Sequence, residues 1–182
     1  MRVMIDACVL YPTVMREVIL GAAGQGLFEA RWSARILEEW ARAAGKLGPA
    51  QEVWARGEIA QLTADFPNAI VSYDSAIEKY YWLPDPADIH VLTAAVAGSC
   101  DGILTMNSKD FPKNILGDAQ LLRWDPDGFM CNLRQAHPAI VSGIANTVLD
   151  EANRLSERPW TMRSLLKKAR LPRLGKALER ED

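Results

Sequence analysis

Acidic and amide side chains stand where the local patterns of the chain change. Asp6 closes the apolar run RVMI, Glu38 and Glu39 lie near the end of WSARILEEW, Asp88 opens IHVLTAA, and Asn107 and Asp110 follow GILTM. Carboxylates gathered at one crevice repel one another unless a cation joins them, and hard oxygen donors of this kind suit Mg²⁺ or Mn²⁺. Such ions keep several waters and bind substrate phosphates, so the chemistry open to this set is metal-assisted hydrolysis of a phosphodiester.

For these side chains to meet, the elements that carry them must end at one edge. Residues 2–5 (RVMI) read as a buried strand tipped by Asp6, and further strands are predicted at 69–73 (AIVSY), 102–106 (GILTM) and 119–122 (AQLL). Helices are predicted over 12–23, from Ser33 as N-cap through an Ile36, Leu37 and Trp40 stripe to a stop at Gly45, and from Pro49 to before Pro67. Asp85 caps the next helix and Pro86 opens it, with Ile89, Leu92, Ala95 and Val96 on one face. Strands alternating with helices predict a parallel sheet covered by helices, in which ligands bind outside the carboxyl ends of the strands. Asp6, Asn107 and Asp110 sit at such ends, and the first turns bearing Glu38, Glu39 and Asp88 can face the same edge. Beyond WDPDG (124–128) the pattern becomes wholly helical.

A chain of 182 residues, 49% hydrophobic with a net charge of −2, predicts one well-buried domain with a small appendage, neither disordered nor a strong non-specific nucleic-acid binder. No apolar run approaches the ~20 residues of a bilayer crossing, and Arg2 and Asp6 interrupt any secretory leader, so a cytoplasmic protein without membrane partners is expected. Cys8, Cys100 and Cys131 are odd in number and lack zinc-site spacing, which predicts reduced thiols. His90 and His137 stand apart from any carboxylate pattern and are assigned no role, and the six Trp are read as core or interface residues.

VMIDACVLYP, WSARILEEW, PADIHVLTAA and ILTMNSKDFP, in that order, resemble the four motif regions of the PIN domain. The resemblance spans residues 1–125 and implies a three-layer α/β/α nuclease domain around a central parallel sheet; the helical pattern beyond it predicts a helical extension with a basic tail over 126–182. It further implies Mg²⁺- or Mn²⁺-dependent cleavage of RNA, service as the VapC-like toxin of a toxin–antitoxin pair, an antitoxin partner and a homodimer. Carried over residue by residue, the family's first acidic position falls on Asp6, the second on Glu39 with Glu38 its rival, and the third on Asp88. At the fourth, Asn107 stands where many members carry Asp, and Asp110 could supply the missing carboxylate. Cys8 replaces a hydroxyl or amide, which predicts one polar contact fewer beside Asp6.

Plainer readings compete at each position. Asp6 and Asp85 can cap helices, Asp88 gains from the helix dipole, and Glu38 with Arg42 or Glu39 with Arg35 can pair at four-residue spacing. Arg16 can reach a scissile phosphate or pair with a nearby acid. The basic run Arg163, Lys167, Lys168, Arg170, Arg173, Lys176 and Arg180 suits a phosphate-rich partner, an acidic antitoxin segment or a solvated helix end. From another class come a non-catalytic PIN-like module binding RNA or protein, and a phosphatase or receiver domain. The last is disfavoured, because Asp6 is not followed by a second Asp and Thr and no Lys directly follows the third strand.

Overall fold

Four parallel strands, in the order β2-β1-β3-β4, are the frame that positions the acidic residues: β1 (Arg2–Ile5), β2 (Glu29–Arg31), β3 (Gly102–Leu104) and β4 (Leu122–Trp124). They belong to a computed structural model that describes residues 1–179; Arg180, the last cation of the basic run, lies outside the described residues. The chain forms two compact units, one of Met1–Tyr11 with Phe28–Trp124, the other of Pro12–Leu27 with the chain from Asp125 on.

In the first unit the central strands are apolar apart from the exposed Arg2 that opens β1. Val3, Met4, Ile5, Ile103 and Leu104 are fully buried, as strands covered on both faces require. Helices flank the sheet in an α/β/α arrangement: α1 (Ala7–Leu10), α3 (Ala34–Gly45), α4 (Pro49–Asp65), α5 (Ile89–Ala97) and α6 (Lys113–Asp118), while α2 (Thr13–Gly24) belongs to the second unit. Ser33 caps α3 as its sequence predicts, accepting from the Ile36 N–H at 3.3 Å. Ile36, Trp40, Ala41 and Ala44 form the buried stripe of α3.

The strand predicted at 69–73 is not formed. Only Ile70 pairs, in a single parallel bridge with Trp32, because Trp32 is followed at once by the Ser33 cap and the strand opposite has ended. The partner that the sheet uses there is β2, whose Glu-Ala-Arg buries only Ala30 and so reads as no apolar run. The fourth strand begins only at Leu122, the last residue of the predicted 119–122, and runs to Trp124, since Gln120 adopts a left-handed turn with φ of 58°. Next to it, a Cβ on Gly102 would lie 2.5 Å from the Leu122 carbonyl and 2.6 Å from the Trp124 ring. Gly102→Ala is therefore expected to destabilise the protein by about 1–3 kcal/mol, read as a lower urea midpoint at unchanged slope.

The second unit is all-helical: α2, α7 (Pro126–Ala136), α8 (Pro138–Arg154), α9 (Met162–Lys168) and α10 (Pro172–Leu178). Helix α2 packs on α8, close enough that a Cβ on Gly21 would come within 2.6 Å of the Ile144 side chain. Asp125 caps α7 through the Gly128 N–H at 2.8 Å, and the buried Asp127 accepts from the Arg173 and Leu174 N–H groups that open α10, both at 2.9 Å. Arg16 is buried in α2, its Nε 3.9 Å from Glu17. The cations of α9 and α10 are exposed; Arg163 pairs with Glu179 at 2.9 Å and Lys168 sits 4.8 Å over the Trp160 ring. Among the described residues no helix is long and apolar enough to cross a membrane, and the three cysteines are free.

Candidate metal centre

Asp6 leaves β1 with its backbone N–H still bonded to the Leu104 carbonyl at 3.1 Å, so the neighbouring strand fixes where its side chain starts. Its carboxylate does not cap α1. Instead Oδ2 accepts from the Thr105 hydroxyl at 2.6 Å and from the Cys8 thiol at 3.0 Å, in a pocket where Asp6 is 7% exposed. The contact predicted to be missing at Cys8 is thus present, because a thiol is a weak but adequate donor to a charged acceptor. Burial first, and then the Asp6 charge, push that thiol up to about 12, so it remains a protonated donor.

The opposite wall is the turn before α5. Asp85 Oδ1 accepts from the Ala87 N–H at 2.9 Å, the cap its sequence predicts, and a 3₁₀ turn over Pro86–Asp88 delivers Asp88 to the head of the helix. Asp85, Asp88 and Asp110 bring carboxylate oxygens within 4.8 Å of one another. Asn107 ties the two walls together. Its backbone N–H donates to the Thr105 hydroxyl at 2.9 Å, and its side-chain amide donates to Asp88 Oδ2 at 3.2 Å. An ionised carboxylate at position 107 could not donate that bond; the carboxylate nearby is that of Asp110. The Asp88 carboxyl is pushed up to about 6, by burial first and then by Asp6, Asp85 and Asp110 in turn, with His90 opposing.

The two glutamates of α3 part company. Glu38 pairs with Arg42 and Arg56, each at 2.9 Å, and these arginines hold it well below the usual carboxylate range, at about 2. Glu39 instead brings Oε1 to 2.8 Å from Nε2 of His90, which is fully buried two residues beyond Asp88. His90 therefore has the carboxylate neighbour that its sequence context hides. The approach is short but not aligned as a hydrogen bond, and Nδ1 has no partner among the described residues. Arg35 lies 3.7 Å from Glu39 and 3.6 Å from Glu78, which accepts from the Tyr73 hydroxyl at 2.8 Å. Glu39 thus flanks the acidic group through His90, outside the close set of Asp85, Asp88 and Asp110.

A family model described as the PIN domain matches residues 2–109. The chain belongs to the PIN domain family. The match takes in Asp6, Glu39, Asp88 and Asn107 of this PIN domain and stops one residue short of Asp110. No curated protein and no solved structure matches the chain. PIN domains are generally nucleases and typically use divalent metals. The donor set here fits such an ion: it is built of carboxylate oxygens, whose mutual repulsion adds to burial in lifting Asp88 to about 6.

Sequence reasoning placed Cys8 beside Asp6 without its hydrogen bond and read Asp85 only as a helix cap; it missed Thr105 as a donor to Asp6, and His90 beside the cluster. Thr105 directly follows β3 and Cys8 lies two residues beyond Asp6, so the rule that drew attention to strand ends would have reached both. Nothing local marks His90 as the neighbour of Glu39.

Proposed function

We propose that this PIN domain is a Mg²⁺- or Mn²⁺-dependent endoribonuclease acting at the crevice between Asp6 and Asp88. The observation that carries the reading is the convergence of carboxylates on Asp88: Asp85 and Asp110 bring oxygens within 4.8 Å of it, and these two and Asp6 add to burial in raising its carboxyl to about 6. Asp6, Asp88 and Asp110 would hold the ion, with Glu39 at the flank. When bound, a divalent ion supplies charge neutralisation at the phosphate and activation of an attacking water. Thr105 and Cys8 fix the orientation of Asp6 by donating to one oxygen, and Asn107 does the same for Asp88. Water attacks phosphorus directly, so no covalent intermediate with the protein is required.

The two glutamates test the assignment. Glu39→Gln is expected to slow cleavage of a single-stranded RNA by about 10- to 100-fold and to weaken Mn²⁺ binding, the usual cost of losing a group that supports a metal site. Glu38→Gln is expected to stay within about twofold, since it lies in a surface arginine cluster of little consequence. Equal effects would remove Glu39 from the site, and no Mn²⁺ binding by the wild type would favour a non-catalytic RNA- or protein-binding module. Toxin service in a VapBC-like pair, with an antitoxin partner and self-association, is part of the same proposal and is supported by the motif resemblance.

A further inference from the structure

Just ahead of the acidic turn the chain displays three aromatic residues in a row, Tyr80, Tyr81 and Trp82, two of them turned to solvent. Tyr80 is 74% and Trp82 65% exposed, whereas Trp32 and Trp40 are core residues. The display is braced from both sides. A 3₁₀ helix over Ser75–Tyr80 is capped by Asp74, the Tyr81 N–H returns to the Glu78 carbonyl at 3.0 Å, and Leu83 is buried directly after Trp82. The three aromatics line a cleft of about 390 Å³ with Leu92, Ile115 and Asp118. Leu92 belongs to α5, the helix whose head carries Asp88.

We propose that this cleft is a stacking subsite for an unpaired base of single-stranded RNA, next to the scissile phosphate; the proposal rests on the nuclease reading above. Three arguments favour this occupant. Only two residues separate Trp82 from Asp85, so their Cα atoms lie at most ~11 Å apart, and a strand held at the acidic crevice must pass the aromatics within a few nucleotides. Exposed aromatic rings accept any base through its π-face, but only a base free of pairing can enter a cleft. The charges divide the work as well: Lys79, 5.0 Å from the Tyr80 ring, suits a phosphate, while Asp118 disfavours phosphate in the cleft and can accept from a base amino group.

The test uses full-length protein carrying Asp6→Asn for binding and the unaltered site for turnover. The probes are a short single-stranded RNA with one 2-aminopurine, the same strand in a duplex, and the same strand with that base removed. Binding is expected to quench 2-aminopurine in the single strand and not in the duplex. Trp82→Ala is expected to weaken single-strand binding and raise KM about tenfold, Trp82→Phe to restore most of it, and the abasic strand to be indifferent to the change. Trp54→Ala, on exposed α4, serves as the control with KM unmoved. Unchanged KM and quenching in Trp82→Ala, with the wild type cleaving, would overturn the subsite and leave the nuclease standing. Quenching without any cleavage in Mn²⁺ would support the subsite and sink the nuclease. Loss of a dimer in sedimentation on Trp82→Ala, with RNA binding intact, would assign the face to a second copy and overturn the proposal.

Discussion

Replacing Asp6 by Asn is expected to lower RNA cleavage by about a thousandfold or more, some 4 kcal/mol of transition-state stabilisation, while leaving the fold in place. The substitution conserves shape. An amide oxygen can still accept from Thr105 and Cys8, and the backbone bond to Leu104 is untouched, so the thermal midpoint in chelator should not fall. What disappears is a charge. Since Asp6 is the largest electrostatic contributor to the raised Asp88 carboxyl, that group should titrate below its wild-type position of about 6 in the variant. Carboxyl ¹³C titration reads the shift without any reference to catalysis. Cleavage at the wild-type rate would remove Asp6 from the chemistry, and an unmoved Asp88 would show that the two carboxylates do not share a crevice.

The second large effect is a reversal of the usual acid response. Asp88 has a folded pKa of about 6 against an ordinary 3.8, so between those values the native state binds more protons than the unfolded one. Stability contributed by this group is therefore full at low pH, falls as pH rises from about 4 to about 6, and is flat above. The rise from 3.8 to about 6 sets an upper bound of about 3 kcal/mol, which solvent screening of this half-exposed group reduces to roughly 1–2 kcal/mol. In chelator the thermal midpoint is expected to drop across this window, and Asp88→Asn should abolish the drop. Mg²⁺ at neutral pH should restore the loss, by about 2.7 kcal/mol at a hundredfold excess over its Kd. Cleavage should rise through the same window, because proton and metal compete for one carboxylate. A wild-type midpoint no more sensitive to this window than that of Asp88→Asn would contradict the assignment.

Local chemistry made much of this legible in advance. The buried β1 with Asp6 at its tip, the Ser33 cap and the Asp85 cap each depend on residues within a few positions of one another, and each stands as the sequence reads. Features set by distant partners were not legible. Glu39 and His90 meet only because α3 and α5 are brought together, and β2 owes its existence to the edge of β1 rather than to any apolar run of its own. The stretch at 69–73 had the alternation of a strand and lacked only a neighbour long enough to pair with it. At Cys8 the error was chemical: the thiol was denied a contact that it makes.

Helix α2 and its companion α8 lie more than a hundred residues apart along the chain. The earlier helix, with Met15, Val18, Ile19 and Ala22 on its buried face, must wait for that partner to be synthesised. Truncation after Trp124 would make that wait permanent. A product ended there would carry α2 without α8, its apolar residues open to the chaperones and proteases that recognise such surface.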